Sequence, residues 1–254
     1  MDLGNTIALV TGAARRVGRA IALALAEQGA HIVLHYGGSS AEAEQTAADI
    51  RSLGVEALTV QADLADPAQI EALFAAIRDR FGELDVLVNS AALFERASFD
   101  AITAADWDRV MAVNLRAPFL CIQAAARLMR AADRSGDPAL IVNLADLSGV
   151  HPWLDFAHHA VSKAGLLHLT RVAARELAPA VRVNAVVPGA ILPPPGVEPD
   201  SEAWREIGGR VPLKRPGDPA RLAETVLYLA ANDFVTGAVI HVDGGESLLG
   251  PVGH

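Results

Sequence analysis

Seven short runs of aliphatic and β-branched residues recur along the chain: IALV at 7–10, HIVLH at 31–35, EALTVQ at 56–61, VLVN at 86–89, LIVNL at 140–144, VRVNAVV at 181–187 and VIHV at 239–242. The apolar residues are continuous rather than alternating, which is the pattern of parallel strands covered by helices on both faces. Longer alanine-rich stretches separate them and carry a helical period, with Val17, Ile21 and Leu25 at i, i+4 and i+8. Gly29, Gly54 and Gly82 stand where a left-handed residue ends a helix, and Thr103 with Asp106 has the spacing of a capping box. Strand and helix alternating with right-handed crossovers predict an α/β, three-layer doubly wound Rossmann fold with a seven-stranded parallel sheet. Its ligands are expected at the carboxyl ends of the strands.

A chain of 254 residues accommodates this as one Rossmann-type domain, 1–254. The one long stretch without a period is 190–218, which contains PPPG and further prolines and glycines. A segment of that length inside a compact domain is expected to be a lid or substrate-binding loop.

Composition removes several classes of function. With 52% hydrophobic and 20% charged residues, the chain has no apolar run near the roughly 20 residues of a membrane helix. The opening MDLGNTIALVTGAA has an acid where a signal peptide is basic and enters a strand pattern at once, so a cytoplasmic protein is expected. A net charge of -9 with scattered arginines gives no pull toward nucleic acid or anionic lipid. The single cysteine, Cys121, excludes an internal disulfide, and its apolar neighbours suit a core thiol. His31, His35, His151, His168 and His241 show no ligand spacing, and the adjacent His158 and His159 project in different directions, so no metal is expected.

Candidate chemistry begins at TGAARRVG, 11–18, between the first strand and the first helix. Gly12 permits a tight turn and Gly18 a close approach of helix to strand, while the helix N-terminus offers N–H groups to a pyrophosphate. The middle glycine of the usual fingerprint is here Arg16, which adds positive charge. After the second strand the chain reads HYGGSS, 35–40, without the acid that would repel a ribose 2′-phosphate. NADP(H) is therefore the expected cofactor, with NAD(H) as the alternative. Arg16 and Ser39 are candidates for the extra phosphate, and Ser39 or Ser40 is equally suited to cap the following helix.

Seven motifs in order, TGAARRVG, ADL with Asp63, VNSA with Asn89, VMAVNL with Asn114, the His159–Lys163 pair, VRVNAVVPG and VDGG, resemble the short-chain dehydrogenase/reductases over essentially the whole chain. Within them the chain is similar to the pteridine reductases, which share the arginine in the glycine motif, HY followed by serine, and the phenylalanine that is Phe94 here. The resemblance implies a cofactor set of Gly12, Arg16, Val17, Gly18, His35, Ser39, Asp63, Leu64, Asn89, Ala91, Lys163, Pro188 and Gly189. Asp63 would contact the adenine, Lys163 the nicotinamide ribose, and Asn114 would hold a water or a backbone kink. Phe94 would stack on a planar substrate. Each has a plainer alternative: Asp63 as a turn acid, Asn114 as a helix-bending polar group, Phe94 as a core ring. The resemblance also implies a homotetramer built on the helices within 103–130 and 153–178, with ESLLGPVGH near another interface.

The catalytic centre departs from the common pattern. Thirteen residues before position 159, where most of these enzymes have serine, stands Asp146, as in pteridine reductases. Ser148 falls two places late and is assigned to the loop. The usual tyrosine is replaced by His159, since the two tyrosines, Tyr36 and Tyr228, lie elsewhere. His159 and Lys163, at i and i+4, share one helix face, which preserves the geometry of a proton relay. An imidazolium is a stronger acid than a phenol, with Lys163 and Asp146 acting on it in opposite directions, and a neutral N–H can still donate a hydrogen bond, so a weakened or retuned enzyme is expected. The predicted catalytic residues are Asp146, His159, Lys163 and Asn114, and Phe94, Asp146 and His159 are expected to meet the substrate. Expected activity is NADPH-dependent reduction of a pterin-like or other small planar C=N or C=O compound. The alternatives are an unrelated carbonyl or alcohol substrate, or a silent NADP(H)-binding sensor or scaffold.

Overall fold

A computed structural model of the chain describes residues 1–132, 137–193 and 196–250. The seven apolar runs form strands β1 (Ile7–Val10), β2 (His31–Tyr36), β3 (Ala57–Gln61), β4 (Val86–Asn89), β5 (Ala139–Leu144), β6 (Val181–Pro188) and β7 (Val239–Val242). They build one sheet in the order β3-β2-β1-β4-β5-β6-β7, and every pairing is parallel. β1, β4 and β5 are buried along their whole length, which is why their sequences do not alternate.

Helices α1 (Arg16–Glu27), α2 (Ser40–Ser52) and α8 (Pro219–Ala231) pack on one face of the sheet through residues such as Ile21, Leu25, Ile50 and Val226. Helices α3 (Pro67–Phe81), α5 (Ala117–Ala131) and α6 (Ala157–Leu177) cover the other through Leu73, Ile77, Ile122 and Ala174. Cys121 lies in this second layer, and burial pushes its thiol up to about 12. Local chemistry sets the helix ends. Gly29, Gly54 and Gly82 have φ of 90°, 86° and 78°, and Thr103 and Asp106 form the reciprocal capping box that opens α4 (Ala104–Met111). Among the described residues no helix is long and apolar enough to cross a membrane.

Two features depart from the sequence reading. Between α4 and α5 the chain makes a π-helical turn, Ala112–Arg116, whose wider winding turns Asn114 into the interior. The stretch 190–218 is not wholly irregular, because it holds α7 (Glu202–Arg210). Ser201 caps α7 by accepting from the Trp204 N–H at 3.2 Å, and Trp204 and Gly208 bury its inner face. The glycine pair 208–209 and the flanking prolines hide this helix from a reading of period, and Gly208 is there for contact: a Cβ on it would lie 2.3 Å from Pro216. Positions 194 and 195 of the expected loop, and 251–254 of the expected carboxyl-terminal interface, lie outside the described residues.

Candidate active site

The strand order reverses between β1 and β4, and a crevice opens there at the carboxyl edge. A cavity of about 560 Å³ is bounded by Gly12, His35, Asp63, Leu64 and Ala91 from the expected cofactor set. Gly37, Gly38, Gln61, Ala62, Gln69, Ala92, Leu93 and Val113 also line it and were not expected. Gly37 and Gly38 meet nothing within 4 Å of a built Cβ, so they keep the floor open. HYGGSS was read for the acid it lacks, and the glycines inside it were the available signal.

The glycine loop is shaped by contact. A Cβ on Gly12, whose φ is 67°, would come within 3.0 Å of the Ala91 backbone, and one on Gly18 within 2.3 Å of the Gly12 carbonyl oxygen. Arg16, at the middle-glycine position, has φ of 55°. A side chain there opposes the sterics that make glycine usual. The start of α1 has neither a side-chain cap nor an acidic residue in its first turn, while Arg15 and Arg16 are exposed beside it. An uncapped helix start flanked by guanidinium groups fits a pyrophosphate. Ser39 occupies the N-cap position of α2 without making a cap hydrogen bond, so its hydroxyl is not used in that way.

The remaining expected cofactor residues lie outside the lining of this cavity. Asn89 is buried and donates to Asn143 Oδ1 at 2.9 Å, and Asn143 donates in turn to Thr170 Oγ at 2.9 Å on α6. Pro188 ends β6, and Gly189 packs against the carboxyl-terminal segment, where a Cβ would lie 2.7 Å from Asp243 and from the Glu246 carboxylate. Val17 is half-buried in the first turn of α1. Asp63 is both a turn acid and a cavity residue: its Oδ1 accepts from the Ala65 N–H at 2.9 Å.

A buried polar cluster sits at the carboxyl end of β5. Asp146 begins a 3-10 turn, Leu147–Gly149, and accepts from the Ser148 N–H at 2.8 Å. This turn presses on α6 so closely that a Cβ on Gly149 would lie 2.8 Å from the Lys163 carbonyl carbon. The contact brings Asp146 beside α6, where its Oδ2 lies 3.8 Å from His159 Nε2. Lys163 donates to the Leu144 carbonyl at 2.9 Å, from the strand that carries Asp146. Burial pushes the Lys163 ammonium down to about 8, with Asp146 opposing that shift. Burial alone would raise the Asp146 carboxyl, but His159, the Ser148 N–H and Lys163 outweigh it and hold the group below its ordinary value.

The other side of the imidazole is fixed by Leu93 and Asn114. Asn114 accepts from the Leu93 N–H at 2.8 Å and donates to the Leu93 carbonyl at 2.9 Å. It also reaches Ser162 Oγ at 3.2 Å, and Ser162 donates to the His159 carbonyl at 2.6 Å. His159 Nδ1 lies 3.0 Å from the Leu93 carbonyl, which only accepts, and 3.3 Å from Asn114 Nδ2. The shorter contact is a hydrogen bond only if Nδ1 carries the proton. Nε2, which has no hydrogen-bond partner, is then the atom free to exchange one. Asn114 stands in the π-helical turn, and its partners are Leu93, Ser162 and His159. Ser148 contributes its N–H alone, consistent with a loop role.

Aromatic rings cover this cluster. Phe94 meets His159 edge to face at 4.9 Å, stacks on Phe156 at 4.7 Å and lies 6.4 Å from Trp153. Phe94 is 50% exposed, so it is not a core ring. The part played by Phe156 and Trp153 was missed, although both lie just before the helix that bears His159. Among the described residues no group of histidine, cysteine, aspartate or glutamate could hold a metal ion.

A crevice at the switch point of a parallel sheet, ending beside a buried lysine and imidazole and a partly buried carboxylate, defines a dinucleotide-dependent oxidoreductase of the Rossmann type. Residues 12–247 match the family described as enoyl-(acyl carrier protein) reductase. Over 241 residues the chain is 38% identical to the 3-oxoacyl-[acyl-carrier-protein] reductase FabG of Staphylococcus aureus, covering 94% of this chain and 96% of the relative. Its fold is similar to that of the FolM alternative dihydrofolate reductase 1 of Brucella canis complexed with NADP, with a TM-score of 0.89, 33% identity, and coverage of 99% of this chain and 98% of that one. It is also similar to a blue fluorescent protein from a metagenomic library in complex with NADPH, with a TM-score of 0.87, 33% identity, and coverage of 97% and 99%. The chain belongs to the short-chain dehydrogenase/reductase superfamily and is an NAD(P)-dependent oxidoreductase of that type.

Proposed function

We propose that the protein is an NADPH-dependent reductase of a pterin-like or other small planar C=N or C=O compound. The observation that carries this reading is His159 Nε2, facing Asp146 at 3.8 Å beneath the ring of Phe94. Likeness to an NADP-complexed alternative dihydrofolate reductase supports the choice of substrate class. The absence of an acid in HYGGSS and the presence of Arg16 support NADP(H). A homotetramer is part of the same reading, supported by half-exposed apolar side chains such as Phe119 and Val172 on α5 and α6.

The cofactor supplies hydride. The open floor at Gly37 and Gly38, the uncapped start of α1, Asp63 and the Lys163 ammonium are the groups that would hold it. Phe94 and Phe156 orient a flat ring by stacking. Asn114 and Leu93 lock the imidazole so that Nε2 points toward Asp146, and Nε2 donates a proton to the nitrogen or oxygen that becomes basic on reduction. Asp146, held below its ordinary value, faces Nε2 as a carboxylate. A reduced imine nitrogen is basic enough to take its proton from water, whereas an alkoxide needs a donor almost at once. The site therefore suits a C=N substrate better than a ketone.

The 38% identity to a 3-oxoacyl-[acyl-carrier-protein] reductase favours a second reading, reduction of the ketone of a 3-oxoacyl group. Wild type, His159→Ala and His159→Tyr, assayed for NADPH oxidation against small pterins and ketones, distinguish the two. Imine reduction that survives in His159→Ala while ketone reduction is lost supports the first reading. Equal loss on both classes overturns it, and NADPH uptake with no consumption on any substrate shows a silent binding protein.

A further inference from the structure

His35 is buried at the end of β2 and sits between the two loops that border the cofactor crevice. Its Nδ1 accepts from the Gly12 N–H at 3.1 Å, and its Nε2 lies 3.0 Å from the Ala62 carbonyl. Its own carbonyl accepts from the Ala13 N–H at 3.0 Å, so one residue holds two successive amides of the glycine loop. Gly12 can only donate and Ala62 only accept through these groups, which fixes one tautomer: proton on Nε2, lone pair on Nδ1. We propose, on the reading that this crevice binds the dinucleotide, that His35 is a positioning residue. It spans the crevice while Nδ1 is unprotonated and releases the glycine loop when Nδ1 gains a proton, so that cofactor affinity falls in acid.

The geometry explains why the second state is incompatible with the first. A proton on Nδ1 would point at the Gly12 N–H across 3.1 Å, placing two donors head to head. Gly12 is packed closely on its other side, where a Cβ would lie 3.0 Å from the Ala91 backbone. The groups around the ring do little to hold its charge. From the β1–α1 side come Gly12, Ala13 and the exposed Arg15 and Arg16; from the β3–α3 side come Ala62, Gln69 and Asp63; the segment after β4 contributes Ala91. Asp63 is the charged residue lining the same cavity, and among the described residues it makes no ion pair with the ring. Burial accordingly disfavours the imidazolium, with the Ala62 bond opposing. Gln61, next in line on β3, donates to the Gly37 carbonyl at 2.9 Å, so the crevice floor is tied to the same strand.

His35→Gln provides the test, because a side-chain amide can accept from Gly12 and donate to Ala62 without titrating. NADPH dissociation constants would be measured by nucleotide fluorescence from about pH 8 to pH 5 for wild type and variant. The 2′-phosphate titrates in both and cancels in their ratio. Relative to His35→Gln, wild-type affinity should fall about five- to tenfold over that range, the effect of losing one hydrogen bond. Parallel curves would overturn the role of His35 and leave the cofactor assignment intact, whereas no NADPH binding by either protein at pH 8 would overturn the assignment itself. Nitrogen-15 NMR of histidine-labelled wild type checks the proposal independently of whether the variant folds. A signal from His35 with Nε2 protonated and Nδ1 bare is expected, and the opposite tautomer refutes it.

Discussion

His159 Nε2 and Asp146 Oδ2 face each other at 3.8 Å across the start of α6, and the far side of the imidazole is occupied by the Leu93 carbonyl at 3.0 Å from Nδ1. With Nδ1 committed to that carbonyl, Nε2 is the ring atom left to meet a substrate. If the pair assists proton transfer, Asp146→Asn, which keeps the shape of the side chain and removes its charge, should lower kcat by about 10²-fold. Steady-state kinetics of both proteins measure this, and an unchanged kcat would argue against a working pair.

Lys163 is charged and buried at neutral pH, held at about 8 by burial against the partial support of Asp146. Because the folded value lies below that of an unfolded lysine, the unfolded chain binds more protons between the two. Stability therefore increases with pH across that window. The burden at pH 7 is about 3 kcal/mol on this basis. Lys163→Met should abolish reduction yet unfold at higher urea concentration near pH 7, with a gain of about 1–2 kcal/mol after loss of the Leu144 bond. The gain should shrink as pH climbs from 8 toward 10. Urea titrations at two pH values read it.

Arg16 has φ of 55° where glycine carries no penalty. Arg16→Gly should stabilise the fold by about 1 kcal/mol, or about 2–4 °C in Tm, while weakening NADPH about tenfold and NADH by less, because the guanidinium charge also lies beside the pyrophosphate. Calorimetry and paired titrations with the two nucleotides measure both effects.

Phe94 stacks on Phe156 at 4.7 Å and is half exposed. If these rings clamp a planar substrate, Phe94→Ala or Phe156→Ala should raise KM about three- to tenfold for a pterin. The affinity for NADPH should not change. An equal loss of affinity for both ligands would mean that the rings only brace the fold.

Some of this was legible in the residues alone. Seven continuously apolar runs can be buried only within a parallel sheet covered twice, so strand count, layer order and the crevice at the switch point follow from pattern. Helix ends follow too, because capping at Thr103 and left-handed glycine at Gly82 are local. Asp146 and His159 were located by resemblance to the short-chain dehydrogenase/reductases, and the i, i+4 spacing of His159 and Lys163 on one helix fixed their shared face. What pattern could not supply was contact between segments distant in the chain. The grip of Asn114 on Leu93 depends on a π turn that period does not reveal. The bridge from His35 to Gly12 and Ala62 joins segments distant in the chain, and the tautomers of the buried His35 and His159 are chosen by carbonyls and amides of loops that follow other strands. The sequence by itself determined which side chains exist and which face of each element bears them. Only the tertiary structure decided where their protons reside, because a proton's position depends on the neighbours that folding brings within about 3 Å.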